Sequence, residues 1–207
     1  MIRVLLADDH TLVREGLKQL LAATADIRVE AAAANGDEAL ALAKANDYDL
    51  AVLDMSMPGL SGIELIKRLR LEKPRLRLLV LSMHGEAQYA ARALKAGASG
   101  YITKDSASAQ LVGAIRKVAG GGVHISEAAA AQLVGAPQGS AAAHTRLSDR
   151  EFEVFRLLVA GRGPTEIADQ LHLSVKTVST HKTRILEKMG VDSTADLVRY
   201  AVENGLS

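Results

Sequence analysis

Residues 48–54, YDLAVLD, are a short apolar run that ends in an acid, and residues 2–9, IRVLLADD, repeat that pattern at the N-terminus. Short apolar runs that alternate with longer helical patterns are typical of a parallel sheet with helices on both faces. We therefore predict a doubly wound α/β domain over residues 1–121. Its five predicted strands are Ile2–Ala7, Arg28–Ala33, Leu50–Leu53, Leu76–Leu81 and Gly100–Thr103. Its predicted helices are Leu12–Ala23, Glu38–Ala45, Gly62–Arg70, Ala87–Ala96 and Ala107–Ala119.

The composition changes after this domain. Residues 126–143 are dominated by Ala, Gly, Ser and Gln, which predicts a short helix and a flexible linker over residues 122–145. Residues 146–207 then alternate helix start and stop residues, which predicts a small all-α domain of four helices. The predicted starts are Ser148, Thr165, Ser174 and Ser193, and the predicted stops are Gly161, Gly190 and Gly205.

Composition also restricts the chemistry that the chain can perform. The absence of cysteine excludes disulfides, thiolate zinc sites and cysteine nucleophiles. We expect a cytoplasmic protein without a membrane partner, because no apolar run has transmembrane length and two acids interrupt the N-terminal run. The net charge of +1 gives no bulk argument for nucleic acid, so such a partner must be inferred from local charge.

Three acids are predicted to meet at one edge of the sheet. Asp8 and Asp9 follow the first strand, and Asp54 closes the third. Ligands of open α/β sheets bind at the carboxyl ends of the strands, where three carboxylates repel one another unless a cation joins them. Because Mg²⁺ prefers oxygen ligands, the pattern indicates a magnesium site.

Two other predicted strands are followed by polar residues that suit phosphoryl transfer. Ser82 follows the fourth strand and Lys104 the fifth. An ammonium group, a hydroxyl and a divalent ion around one carboxylate can stabilise phosphoryl oxygens during transfer to Asp54, which would be the nucleophile. A single acid at a strand end is more often a helix cap or a solvated loop residue, but the coincidence at four strand ends favours chemistry.

These residues resemble the receiver domains of two-component response regulators over about the first 120 residues. The matching positions are the acidic pair Asp8-Asp9, Asp54 before Met-Pro-Gly, Ser82, and Lys104 in Gly-Tyr-Ile-Thr-Lys. The resemblance implies a flavodoxin-like fold and a phosphoryl group that Asp54 accepts from a sensor histidine kinase. It implies no enzyme activity beyond Mg²⁺-dependent self-phosphorylation and slow self-dephosphorylation.

The same resemblance implies roles for individual residues. Mg²⁺ would be held by Asp9, Asp54 and the backbone carbonyl of Ser56, with Asp8 assisting through water. Tyr101 would be the aromatic residue that swings inward when the Ser82 hydroxyl bonds the phosphoryl group.

Other interpretations of nearby residues are less favoured. His10 could be a phosphorelay histidine or metal ligand, but the same triplet is common in the receiver family without such a role. His84 could tune phosphoaspartate hydrolysis, but a solvated loop histidine is favoured. A haloacid-dehalogenase-like phosphatase needs an acid two residues after its nucleophile, where this chain has Ser56. The glycine run 120–122 lacks the spacing of nucleotide-binding loops and is interpreted as a helix stop.

The C-terminal segment as a whole has one more acidic than basic residue, but four basic residues and one acid between Ser174 and Gly190 give that stretch a local charge of +3. Helical spacing puts one set of residues on an inward face: Val178, His181, Ile185 and Met189. Polar and basic residues lie opposite or beside it: Lys176, Thr177, Ser179, Thr180, Thr183 and Arg184. A short helix over residues 165–172 precedes this one, so the pair indicates a helix-turn-helix whose second helix enters the major groove of double-stranded DNA.

This segment resembles the LuxR-type, or NarL-like, helix-turn-helix. The motif is recognisable in Leu147–Val154, Glu166–Ala168, Leu173–His181, Ile185 and Lys188–Gly190. The resemblance implies base reading by Ser179, Thr180 and Thr183. Phosphate contacts are expected from Lys176, Thr177, Lys182, Arg184 and Lys188. Serine and threonine cannot make a bidentate guanine contact, and His181 is interpreted as a partly buried core residue.

The last predicted helix, Thr194–Glu203, could complete the core or form a symmetric contact. A single module makes few phosphate contacts, so a homodimer on paired half-sites is expected. We therefore interpret the chain as a DNA-binding response regulator that controls transcription. Two alternatives are a constitutive DNA-binding protein with a vestigial receiver, and a phosphatase or phosphotransferase that would turn over external substrates.

Overall fold

The apolar runs of the N-terminal part form parallel strands in the computed structural model. The strands are β1 (Ile2–Ala7), β2 (Ile27–Ala33), β3 (Leu50–Asp54), β4 (Arg77–Ser82) and β5 (Gly100–Thr103). They form a five-stranded sheet in the order β2-β1-β3-β4-β5, with every paired neighbour parallel. This order puts β1 and β3 side by side at the centre, so the acids at their carboxyl ends are neighbours.

The structure describes residues 1–57, 59–60, 62–83, 87–126, 129–131, 142–171 and 173–206. The chain divides into two compact units, Met1–Gly135 and Ala136–Ser207. His84, Pro58 and most of the predicted linker, residues 132–141, lie outside the described residues. Within the described helices, none combines the length and the apolar character that crossing a membrane requires.

Helices cover both faces of the sheet. They are α1 (Thr11–Ala22), α2 (Gly36–Ala45), α3 (Gly62–Glu72), α4 (Ala87–Ala96) and α5 (Lys104–Ala119). Helices α1 and α5 contact each other, whereas α2, α3 and α4 contact one another in succession. Val4 and Leu6 of β1 belong to the core that α1 and α5 cover, and Leu5 between them is equally buried. The doubly wound prediction is confirmed.

Differences from the predicted elements occur at their ends. The largest is at α5, which begins at Lys104 rather than at Ala107. The Ser106 hydroxyl donates to the carbonyl oxygen of Thr103 at 3.1 Å, so side-chain bonding supports this early first turn. Asp54 and Ser82 are the last residues of their strands rather than the first residues beyond them.

The chain returns to the sheet after α5. The backbone N–H of Tyr101 donates to the carbonyl oxygen of His124 at 2.8 Å, and the N–H of His124 donates to that of Ser99 at 3.2 Å. Gly100 and His124 form an isolated parallel bridge. The first residues of the predicted linker therefore lie along the outer edge of β5.

The second unit is helical in its described residues. A 3₁₀ turn (Ala143–Arg146) precedes α6 (Asp149–Val159), α7 (Pro164–Leu171), α8 (Val175–Met189) and α9 (Thr194–Glu203). Ser148, Ser174 and Ser193 each accept a backbone N–H as helix caps, and Gly190 ends α8 in the left-handed conformation. Pro164, which the sequence also indicates as a helix-start residue, is the first residue of α7, one position before the predicted start at Thr165.

The prediction of a linker up to residue 145 is wrong at its C-terminal end. His144 is buried, and its Nδ1 lies 2.7 Å from the hydroxyl oxygen of Tyr200. Its ring also packs against Phe152 at a centroid distance of 6.5 Å. Because these contacts hold the 3₁₀ turn against α6 and α9, the ordered second unit begins before residue 146.

Candidate functional site

Three strand ends bring two acids and one lysine together. Asp8 follows β1 and Asp54 ends β3, and both side chains are buried. The Nζ atom of Lys104, at the start of α5, lies 2.8 Å from Asp8 Oδ2 and 2.8 Å from Asp54 Oδ2. One ammonium group thus bridges two buried carboxylates, which would otherwise repel each other.

The remaining oxygen atoms of these acids contact backbone N–H groups. The N–H of Ser56 donates to Asp54 Oδ1 at 3.2 Å, and the N–H of His10 donates to Asp8 Oδ1 at 2.8 Å. Both contacts join residues two positions apart, so the tight turns after β1 and β3 create them. Asp9 is partly exposed, and its Oδ1 lies 2.8 Å from Nδ1 of His10, a largely exposed side chain.

Burial and charge act in opposite directions on this cluster. Burial raises the pKa of Asp54 above its ordinary value and Asp8 adds to that effect, although Lys104 partly opposes it. Burial by itself would lower the pKa of Lys104, but hydrogen bonds to Asp54 and Asp8 raise it above the ordinary value. Lys104 is therefore charged at neutral pH, and a further cation beside Asp54 would favour the ionised form of its carboxyl group, which burial disfavours.

The donor set at this edge fits a hard divalent cation. Single ligand atoms of Asp8, Asp9, His10 and Asp54 lie within 4.8 Å of one another. The three carboxylates are the ligand type that Mg²⁺ prefers, and their spacing brings them within reach of one ion.

The two predicted switch residues are buried on neighbouring strands of the sheet. Ser82 is buried at the end of β4, in register with Thr103 of β5. Tyr101 is also buried, with 7% of its surface exposed. Val80 and Tyr101 are paired across β4 and β5, which places the two switch residues on adjacent strands.

Sequence reasoning missed a basic residue beside the site. The guanidinium Nη1 of Arg14, in α1, donates to the carbonyl oxygen of Asp8 at 2.6 Å. This bond fixes the turn that carries Asp8 and Asp9. No motif pointed to Arg14, because its partner is a backbone carbonyl and any residue type can supply one.

Helix α8 has one buried and one exposed face. Val178, Ile185 and Met189 are buried, and His181 is half-buried with its Nδ1 atom enclosed. Burial lowers the pKa of His181, with Arg150 and Arg184 adding to the effect, so the ring is neutral at pH 7. The polar residues on the outer face are exposed: Lys176, Ser179, Thr180, Thr183 and Arg184.

Hydroxyl groups on this face bond to their own helix. Ser179 donates to the carbonyl of Val175 at 2.9 Å and Thr180 to that of Lys176 at 3.0 Å. Thr183 donates to the carbonyl of Ser179 at 3.1 Å. Each oxygen therefore keeps lone pairs that can accept from a base edge, and each threonine also exposes a methyl group.

Two predicted phosphate-contacting residues are engaged within the domain. Lys188 Nζ lies 2.6 Å from Glu151 Oε2, and only 5% of the Glu151 side chain is exposed. The Thr177 hydroxyl lies 2.8 Å from the Ser174 hydroxyl that caps α8. Lys188 is therefore better placed to hold α8 against α6 than to contact DNA, because the buried Glu151 carboxylate needs its charge.

Comparison with known proteins identifies both units. Residues 4–116 match the family described as "Response regulator receiver domain", and residues 145–201 match "Bacterial regulatory proteins, luxR family". The chain belongs to the response regulators that combine a receiver domain with a LuxR-type DNA-binding domain, which makes it a transcription regulator rather than a classical enzyme.

Individual relatives are similar to this chain over nearly its whole length. The response regulator UvrY of Escherichia coli (strain K12) is 33% identical, over 100% of this chain and 96% of its own. The transcriptional regulatory protein MctR of Rhizobium johnstonii is 38% identical, over 99% of this chain and 95% of its own. The response regulator RcsB of Salmonella typhimurium has a similar structure, with a TM-score of 0.76 at 28% identity over 100% of this chain and 98% of that chain.

Proposed function

We propose that Asp54 is the phosphoacceptor and that a sensor histidine kinase supplies its phosphoryl group. The observation that carries this proposal is the bridge that the Lys104 ammonium makes to Asp8 and Asp54 at 2.8 Å each. An ammonium group held there is ready to stabilise charge on a phosphoryl group as it arrives on Asp54. The receiver family match supports the same assignment.

The proposed reaction moves one phosphoryl group. An Asp54 carboxylate oxygen attacks the phosphorus of a phosphohistidine, the P–N bond breaks, and the histidine leaves with a proton from solvent. Later attack by water on the phosphorus returns inorganic phosphate and the free carboxylate. Throughout, Lys104 keeps a positive charge beside the oxygens, and the Ser56 N–H donates to the site.

The metal ligands proposed for this site are Asp9, Asp54 and the backbone carbonyl of Ser56, with Asp8 assisting through water. The closeness of the Asp8, Asp9 and Asp54 oxygens supports this choice, as does their hardness as ligands. Mg²⁺, when bound, neutralises charge on the transferring phosphoryl oxygens. The raised pKa of Asp54, which burial causes, is a further reason why a cation is favoured there.

The proposed switch runs from Ser82 to Tyr101. A phosphoryl group on Asp54 would draw the Ser82 hydroxyl toward it, and the packing of Tyr101 would change in response. The backbone N–H of Tyr101 donates to the carbonyl of His124, which lies at the start of the segment leading to the second unit. Movement of β5 would thereby reach that segment directly.

We propose that α8 lies in the major groove of double-stranded DNA. Ser179, Thr180 and Thr183 would meet base edges, and their free lone pairs and methyl groups suit adenine, cytosine and thymine rather than guanine. Lys176, Lys182 and Arg184 would contact phosphates. Thr177, whose hydroxyl contacts the Ser174 cap of α8, would lie near the DNA backbone. A solved structure of RcsB is bound to the promoter rprA in the presence of the phosphomimetic BeF3⁻, at 27% identity and a TM-score of 0.69 over 96% of this chain and 97% of that chain.

The chain is proposed to act as a homodimer on paired half-sites in the cytoplasm. Val202 of α9 is 62% exposed, which supports a symmetric contact through that helix. The proposed functional divisions are a receiver over residues 1–121, a connecting segment over 122–142 and a DNA-binding domain over 143–207, which includes the 3₁₀ turn Ala143–Arg146.

Replacing Lys176 should weaken DNA binding without affecting the fold. Lys176→Ala removes one phosphate contact, so the slope of log affinity against log salt should fall by about 0.9 for each α8 that binds. Affinity should fall by a similar factor for every sequence. The measurement is fluorescence anisotropy of mixed-sequence duplex DNA at several salt concentrations.

Lys188→Ala is the matched control on the same helix. Loss of the Lys188 charge leaves Glu151 buried without its cation, so the free energy of unfolding should fall by about 1–3 kcal/mol. Once folded, this variant should keep the wild-type salt slope. A reduced slope for Lys188→Ala together with an unchanged slope for Lys176→Ala would contradict the assignment of these two residues.

A further inference from the structure

The start of α2 touches the loop that follows Asp54. Gly36, the first residue of α2, is buried, and a Cβ atom on it would lie 1.4 Å from the carbonyl oxygen of Leu60 and 2.6 Å from its carbonyl carbon. Both atoms belong to the backbone and cannot rotate away. Only glycine leaves room for the loop between β3 and α3 in this position.

Asp37 contacts the other backbone polar group of Leu60. Its Oδ2 accepts the backbone N–H of Leu60 at 3.3 Å. Gly59 has φ +77°, and a Cβ atom there would lie 2.4 Å from the same Oδ2. Gly36 and Asp37 therefore contact the carbonyl group and the N–H group of one residue, Leu60.

Helix α2 offers a fixed platform for these contacts. The Asn35 side chain accepts the N–H of Glu38 at 2.8 Å, and the Glu38 carboxylate accepts the N–H of Ala34 at 2.7 Å. These two bonds hold the first turn of α2 around Gly36 and Asp37. The positions of these two residues are thus set independently of the loop that they contact.

The loop connects this platform to the phosphoacceptor. At its start, the N–H of Met55 donates to the carbonyl of Leu81 at 3.1 Å, and the N–H of Ser56 donates to Asp54 Oδ1 at 3.2 Å. At its end, Leu60 rests on Gly36 and Asp37. The backbone of Ser56, with the carbonyl proposed as a metal ligand, lies between these two attachments.

We infer that Gly36 and Asp37 are positioning residues for the phosphoacceptor site. They hold the backbone of the loop so that the Ser56 carbonyl meets the metal ion and the Ser56 N–H meets Asp54. This inference rests on the proposed function, because it assigns the loop its role in the binding of Mg²⁺ beside Asp54. Neither residue touches the reacting atoms, and both act through Leu60.

Gly36→Ala in the full-length chain tests this role. The added methyl group must push Leu60 away, so Mg²⁺ affinity, measured by titration of the free metal, should fall by about 10–100-fold, as for other residues that orient metal ligands. Amide hydrogen exchange of Met55 and Ser56 should become faster. Gly113→Ala is the matched control, because Gly113 lies in α5 with no neighbouring atom within 4 Å of a Cβ. It should bind Mg²⁺ as the wild type does and be slightly more stable.

A second pair of variants keeps the test decisive if Gly36→Ala does not fold. Asp37→Asn keeps an oxygen that accepts the Leu60 N–H, so its Mg²⁺ affinity should stay near that of the wild type. Asp37→Ala loses the acceptor and should bind Mg²⁺ more weakly. Equal affinity and equal exchange in wild type, Gly36→Ala and Asp37→Ala would overturn the positioning role alone. A wild type that neither binds Mg²⁺ nor accepts a phosphoryl group would overturn the proposed function, and this inference with it.

Discussion

An Asp54→Asn chain is expected to accept no phosphoryl group from acetyl phosphate and Mg²⁺, whereas the wild type gains one. The amide lacks the nucleophilic carboxylate oxygen, so no acyl phosphate can form at this position. The measurement is the intact mass of each protein after incubation.

The substitution changes the volume of the side chain little, because Asn is nearly isosteric with Asp. Lys104 and the Ser56 N–H contact different oxygens of Asp54, so the single amide oxygen of Asn can accept from one of them. Asp169→Asn is a control that changes one exposed acid in α7 by the same chemistry. Equal labelling of Asp54→Asn and wild type would show that another residue is the acceptor.

Lys104→Met is expected to slow phosphorylation of Asp54 by about 10²–10³-fold, the usual loss when one group that stabilises transition-state charge is removed. The methionine fills similar space but leaves Asp8 and Asp54 without their common cation. Rates of mass increase with acetyl phosphate measure the effect. Lys95→Met, which changes an exposed lysine of α4, should retain the wild-type rate.

The same variant should change the pH dependence of stability in magnesium-free buffer. Burial already raises the pKa of Asp54, and loss of Lys104 removes an opposing contribution, so the pKa should rise further. A carboxyl group with a raised folded-state pKa contributes stability below its ordinary pKa and loses it as pH rises. Lys104→Met should therefore be less stable than wild type by up to about 3–5 kcal/mol at neutral pH, with a smaller difference in acid. A difference that grows toward low pH would contradict this assignment of charges.

Much of the fold follows from features that are local in the sequence. The strands are short apolar runs, and the helix caps at Ser148, Ser174 and Ser193 are serines in the expected places. The cluster of acids could be predicted because strand ends of a parallel sheet meet at one edge. Asp8, Asp54 and Lys104 are therefore close in space although they are distant in sequence.

Contacts that depend on pairing between distant residues could not be predicted in this way. Lys188 was predicted to contact DNA phosphates, but its ammonium group forms an ion pair with the buried carboxylate of Glu151. The Ser-x-x-Glu pattern at Ser148 indicates a capping box, yet nothing in that pattern specifies a lysine on another helix. In the same way, the bond between His144 and Tyr200 extends the ordered second unit into a segment whose composition is typical of a linker.

Coupling between phosphorylation and DNA binding is tested most directly by the affinity of the full-length chain for one duplex, measured with and without the phosphoryl group on Asp54. The duplex is selected from a random pool by the phosphorylated chain, and both isotherms are recorded at one salt concentration beside sedimentation of each form. We predict that the phosphorylated chain binds about 5–150-fold more tightly, with Asp54→Asn unresponsive. Equal affinity and equal oligomeric state in the two forms would contradict a phosphorylation-controlled transcription regulator.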